Sequence, residues 1–202
     1  MKALEWQFFL QNQRERHGKV LFTPTELANA AVCSDAVIRV TVRRLLGRGV
    51  LQRYANGVYG MPGIVTVEDL VPALDRGAYV TGLYALHRHG IVTQRPTTVT
   101  CFTNRRHNRS RVRVTPLGRI VFTCVAEAIY SMPSACDMAF PEQALCDFVY
   151  ECRRDGLQPE SLVTFRKTDC LDRERLASVL SRYPATVSSM VERIAGSRPP
   201  SI

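Results

Sequence analysis

Arg39, Arg43 and Arg44, interleaved with Ser34, Ala36 and Val40, are the side chains best suited to recognition chemistry in this 202-residue chain. A guanidinium is a planar fork that donates paired hydrogen bonds to phosphate or to guanine O6 and N7, and an exposed valine can touch a thymine methyl group. Ser34 is a suitable helix N-cap, and from it to Gly47 the residues Ile38, Val42, Leu45 and Leu46 recur at helical spacing. On a helical wheel these four share one face, while Ala36, Arg39, Val40, Arg43 and Gly47 fall on the other with Arg44 at its flank. A buried stripe opposite an arginine-bearing face is what a helix in the DNA major groove requires.

Two further groups carry the same kind of chemistry. Arg53, Tyr54 and Asn56 flank Asn56-Gly57, a strong two-residue hairpin signal between apolar-aromatic stretches, and from its tip they could reach phosphates or a minor groove. Arg105, Arg106, Arg109 and Arg111 crowd the stretch between two strand-like runs, and Arg113 follows at the start of the second. That basic loop could touch DNA, meet an acidic face of a protein partner, or simply be solvated.

The elements that position the first two groups follow from local signals. Leu4, Phe8 and Phe9, with Trp6, predict the buried face of an opening helix that stops near His17-Gly18. Thr23, Pro24 and Glu26 spell a capped helix start with a capping box, running to Ala30 or Ala31. The turn Ala31-Val32-Cys33, the arginine-bearing helix and a hairpin over residues 49–60 come next. The order predicts a winged helix-turn-helix over residues 1–62. Residues 63–77, with Pro62-Gly63 and the acids Glu68, Asp69 and Asp75, read as a linker with a short helix.

Residues 78–202 predict a mixed α/β domain, so the whole chain is expected to be α+β. Tyr79 to Gly90 reads as a helix, and residues 98–103, 112–115 and 119–125 read as strands of an antiparallel sheet. A helix beginning at Pro141 and later helices near 172–183 and 185–194 make a helical C-terminal tail. Glu142 and Asp147 are expected to cap and solvate the start of the first of these.

Enzymatic chemistry is not expected. The lysines are Lys2, Lys19 and Lys167, and Phe165 stands two residues before the last, so the acid-x-Lys element of a metal-dependent nuclease is missing. No GxxxxGK phosphate loop and no GxSxG elbow occurs. Seven cysteines without a CxxC pair argue against a disulfide framework and a zinc knuckle, and His87 and His89 have no metal-binding companions. No metal and no cofactor is expected.

Charge and hydropathy set the remaining bounds. All but those three of the 27 basic residues are arginine, against 18 acidic ones, giving +9 overall. The excess sits in residues 1–62 and 77–126, the second block holding no acid at all. Such blocks attract polyanions through counterion release. No stretch is apolar enough for a membrane span and the N-terminus lacks a secretory core, so a cytoplasmic protein without membrane contact is expected.

The chain resembles the AbiEi-type antitoxins of bacterial type IV toxin–antitoxin systems over about residues 22–150. The likeness rests on Phe22, Leu27, Leu45-Leu46-Gly47-Arg48-Gly49 and Gly57-Val58-Tyr59 in the first half. In the second it rests on Tyr79-Val80-Thr81, Ala85-Leu86, His89-Gly90-Ile91, Pro96, and Ala139-Phe140-Pro141-Glu142-Gln143-Ala144-Leu145-Cys146-Asp147. Tyr84, Gln143 and Cys146 depart from the family's usual small residue, lysine and leucine. The resemblance implies a repressor of its own operon that reads inverted repeats in double-stranded DNA, as a monomer or a homodimer that pairs on the DNA. It also implies that the second domain counters a nucleotidyltransferase-like toxin without a tight stoichiometric complex. The alternative is a plain winged-helix transcriptional regulator whose second domain senses a ligand or mediates oligomerisation.

Overall fold

A computed structural model of the chain describes residues 2–107, 110–133 and 137–196. The protein is α+β, and it divides into two compact units, Met1–Leu74 with Thr115–Leu117 and Asp75–Val114 with Gly118–Ile202. Among the described residues no helix is long and apolar enough to cross a membrane.

In the first unit, helix α1 (Ala3–His17) stops where Gly18 turns left-handed at φ +63° and donates its N–H to the Arg14 carbonyl. Strand β1 (Leu21–Phe22) leads into the capping box of α2 (Pro24–Ala31). There Thr23 Oγ1 accepts the Glu26 N–H at 3.3 Å and Glu26 Oε2 accepts the Thr23 N–H at 2.8 Å. Helix α3 (Asp35–Gly47) follows, then a hairpin of β2 (Gln52–Ala55) and β3 (Val58–Gly60) turned by Gly57 at φ +71°. The three strands form an antiparallel sheet in the order β1-β3-β2.

The core of this unit joins Trp6 and Leu10 of α1 to Phe22, Leu27, Ile38, Val42, Leu45 and Leu51. Burying each such side chain contributes about 1.5–3 kcal/mol. The face of α1 differs from expectation, because Leu4 and Phe8 are 76% and 73% exposed while Trp6 and Leu10 are buried. Apolar residues occur on several sides of this helix, so its own pattern does not select a stripe. The indole, which has the most surface to remove from water, goes inward, and Phe9 packs edge-on against it at 5.8 Å.

The stretch read as a linker with a short helix contains one. α4 (Val67–Leu74) belongs to the first unit and starts at a Thr66–Asp69 box, in which Asp69 Oδ2 accepts the Thr66 N–H at 2.8 Å, and its Val67, Leu70 and Val71 are buried. Glu68 and Asp69 lie in its first turn, where acids complement the helix dipole.

The second unit is built on a mixed four-stranded sheet in the order β4-β5-β7-β6, comprising β4 (Ala78–Thr81), β5 (Thr98–Thr103), β6 (Val112–Thr115) and β7 (Gly118–Cys124). β4 runs antiparallel to β5, but β5 and β7 are parallel, from Thr98 opposite Arg119 to Thr103 opposite Cys124. The expected antiparallel sheet is therefore corrected. The short connection from β6 to β7 sets those two side by side and brings β7, not β6, against β5. The expected helix over residues 79–90 splits as well. Tyr79, Val80 and Thr81 are strand-favouring and fully buried in β4, and α5 (Gly82–Arg88) begins only after Gly82 takes φ +61°.

Helix α6 (Pro141–Arg154) is central to this unit's core, burying Ala144, Leu145, Phe148 and Val149 against Tyr79, Leu86 and Phe102. The short α7 (Pro159–Leu162), a 3-10 turn at Thr168–Cys170, α8 (Arg173–Leu180) capped by Asp172, and α9 (Ala185–Gly196) complete the described chain.

Candidate nucleic-acid interface

Helix α3 buries Ile38, Val42 and Leu45 and leaves Ser34, Ala36, Arg39, Val40, Arg43 and Arg44 exposed. Ser34 stands at the N-cap with extended backbone, yet its side chain makes no capping bond. None of the three arginines has an acidic partner among the described residues. Val37 and Val40, 54% and 47% exposed, lie three residues apart on the solvent side. Sequence reasoning does not single out Val37, although on the wheel it falls beside Arg44 at the flank of the exposed face.

The turn before α3 carries an unusual backbone. Val32 is left-handed at φ 48°, ψ 52°, and 92% exposed. A β-branched residue in this region strains its backbone, and such strain collects at turns the surrounding structure over-determines.

The hairpin presents less than its sequence suggests. Arg53 and Asn56 are exposed but bond to each other, with Arg53 Nη2 donating to Asn56 Oδ1 at 2.7 Å and Nε to the Ala55 carbonyl at 3.2 Å. Tyr54 is not a tip residue. It is 2% exposed, its hydroxyl donates to the Met61 carbonyl at 3.1 Å, and burial raises its pKa. Strand alternation sends Tyr54 inward where it sends Arg53 out.

In the second unit Arg105, Arg106 and Arg111 are exposed, and Arg109 lies outside the described residues. Arg113 is half-buried and its Nη1 donates to the Ser110 and Val112 carbonyls, so it braces its own loop and is not a free cation. The loop is anchored at its start by Asp75, whose carboxylate accepts from Thr103 Oγ1 at 2.7 Å, Gly77 N–H at 2.9 Å and His107 Nε2 at 3.1 Å. The His107 ring stacks 4.7 Å from that of Phe122. Burial pushes the Asp75 carboxyl up, but these three donors outweigh it and hold the pKa below its ordinary value. Nothing within a few residues of Asp75 signals this contact, which spans 32 residues.

The segment Ala139 to Asp147 meets Tyr79 and Thr81 in space. Asp147 is fully buried, and its Oδ2 accepts from Thr81 Oγ1 at 2.6 Å and Tyr79 Oη at 3.2 Å while its Oδ1 accepts from Tyr183 Oη. Burial pushes this carboxyl up to about 7 against the pull of the three hydroxyls. Glu142 is also buried, its Oε1 accepting the Asp172 N–H at 2.8 Å, and Gln143 Nε2 donates to the Ser131 carbonyl at 2.6 Å. The expectation of solvated helix-start carboxylates is thus corrected, because the first turns of α6 are covered by β4 and the C-terminal helices. His89 is likewise engaged, its Nε2 bonded to the Ala139 carbonyl at 2.8 Å. The arrangement ties strand, central helix and tail together and offers no exposed nucleophile.

An open cleft in the second unit, which no local pattern of residues signals, offers about 360 Å³ beside Glu151 of α6 and the approach to β5. The chain matches no family model and no curated protein sequence.

Proposed function

We propose that this chain is a winged helix-turn-helix autorepressor that reads an inverted-repeat operator in double-stranded DNA with the exposed face of α3. The observation that carries the reading is that face itself, on which Arg39, Arg43 and Arg44 stand without acidic partners among the described residues, beside Ser34, Ala36 and Val40 and opposite a buried stripe. The hairpin of residues 52–60 takes the place of the wing, with Arg53 and Asn56 at its tip. Fluorescence anisotropy on a duplex of the gene's own upstream region tests it. Arg39→Ala and Arg43→Ala should each weaken specific binding by about 1–3 kcal/mol, on the order of 5- to 150-fold, if each makes a bidentate base contact. Unchanged affinity in both variants refutes the assignment.

The second unit is read as the antitoxin half of a type IV system that counters a nucleotidyltransferase-like toxin in the cytoplasm. Support comes from the motif likeness and from the convergence of its Tyr79, Thr81 and Asp147 on one buried cluster. Co-expression with a nucleotidyltransferase-like reading frame adjacent to this gene should restore growth, and failure to do so removes the antitoxin role while leaving the DNA reading intact. The alternative of a ligand-sensing regulator is favoured by a separate observation, the Glu151 cleft.

A further inference from the structure

The geometry points to the Glu151 cleft as a binding site for a small zwitterion of the free amino-acid class, its ammonium on Glu151 and its carboxylate on Arg95. Leu83 of α5, Arg95, Thr98 and Thr100 at the entry to β5, and Phe148 and Glu151 of α6 line the cleft. Its volume, about 360 Å³, is at the low end of ligand sites and suits a molecule of a dozen or so heavy atoms better than a nucleotide.

Glu151 is the group that needs a partner. Its side chain is only 18% exposed, and burial raises its pKa. Its bonded support is neutral, from Thr123 Oγ1 donating to Oε1 at 3.3 Å and from the Thr100 hydroxyl. The nearest cation, Arg154 Nη2, stands 4.0 Å from Oε1 on a side chain that is 39% exposed. A carboxylate so enclosed, without a direct charge-assisted bond, is costly to keep ionised, and a ligand ammonium placed on it would recover that cost.

Arg95 supplies the opposite charge. It is exposed, it pairs with no carboxylate among the described residues, and Pro96 after it restricts its backbone to extended forms. Phe148, 6% exposed, and the half-buried Leu83 give an apolar wall for the ligand's carbon skeleton. One carboxylate, one guanidinium and an apolar wall in one cleft select a molecule with both charges and a hydrocarbon part. The inference does not depend on DNA binding, so the two readings fail separately.

The test is ligand-observed NMR of the full chain with pooled free amino acids, followed by calorimetry on any that bind, alongside the amine and the desamino acid derived from each. At least one amino acid should bind at about 10 mM or below, and each single-charge analogue should bind at least about tenfold more weakly. Glu151→Gln and Arg95→Ala should each cost about tenfold or more in affinity with the fold intact by circular dichroism. Leu83→Trp should fill the cleft and abolish binding. If Glu151→Gln fails to fold, Arg95→Ala and Leu83→Trp decide the matter. Absence of binding by every amino acid, equal binding of the single-charge analogues, or affinity unchanged in Arg95→Ala and Leu83→Trp overturns the assignment.

Discussion

Asp147→Asn should change how this protein's stability depends on pH, and the size of the change follows from the buried cluster. Burial raises the folded carboxyl to about 7, from 3.8 when exposed, so the folded state holds the proton more tightly than the unfolded one. Stability from this group is therefore fully present below pH 3.8 and is lost as pH rises through 7. Each pH unit in that window costs about 1.4 kcal/mol, about 4 kcal/mol across it. The amide keeps one acceptor oxygen for Tyr79 and Thr81, its NH2 can donate to the Tyr183 hydroxyl, and it never charges. Glu151, whose pKa is also raised by burial, titrates in both proteins and largely cancels from the comparison. Urea unfolding of both proteins from about pH 4 to about pH 8 reads the effect. Wild-type stability should fall relative to the variant by about 4 kcal/mol over that range, and parallel curves would refute the argument that Asp147 is held against its charge.

Other expectations are simpler to read. Trp6→Ala should cost about 3–5 kcal/mol in urea unfolding while Phe8→Ser costs under about 1 kcal/mol, and the reverse order would show that the opposite face of α1 is the buried one. Val32→Gly should stabilise by up to about 1 kcal/mol, because relief of left-handed strain outweighs the added freedom of the unfolded chain; a loss of stability would refute the strain. Removing Arg105, Arg106 and Arg111 together should flatten the log-log salt dependence of DNA binding by about 0.9 for each phosphate that is no longer neutralised, and an unaltered slope would assign that loop to solvent or to a protein partner.

Elements whose causes lie within a few residues were legible in the chain alone. The Thr23–Glu26 box, the left-handed stop at Gly18, the Asn56-Gly57 turn and the Ile38–Val42–Leu45 stripe each rest on side chains one to four positions apart. The arginine face of α3 was legible for the same reason, since a helix with one apolar stripe leaves only one way for Arg39 and Arg43 to point. Tyr54 was misplaced because the turn signal names the hairpin but not which strand face is covered.

Features that depend on distant partners were settled only by packing. The buried side of α1 came from competition between Trp6 and Phe8 for one core. The parallel pairing of β5 with β7 leaves each strand's own alternation unchanged, so no local pattern records it. Glu142 and Asp147 read alike as acids on an amphipathic helix, yet packing by β4 and the C-terminal helices buries both within the core, and packing against β5 sets Glu151, further along the same helix, in a cleft. A carboxylate's chemistry is set by the water and donors around it, and in a folded chain those are supplied by residues tens of positions away.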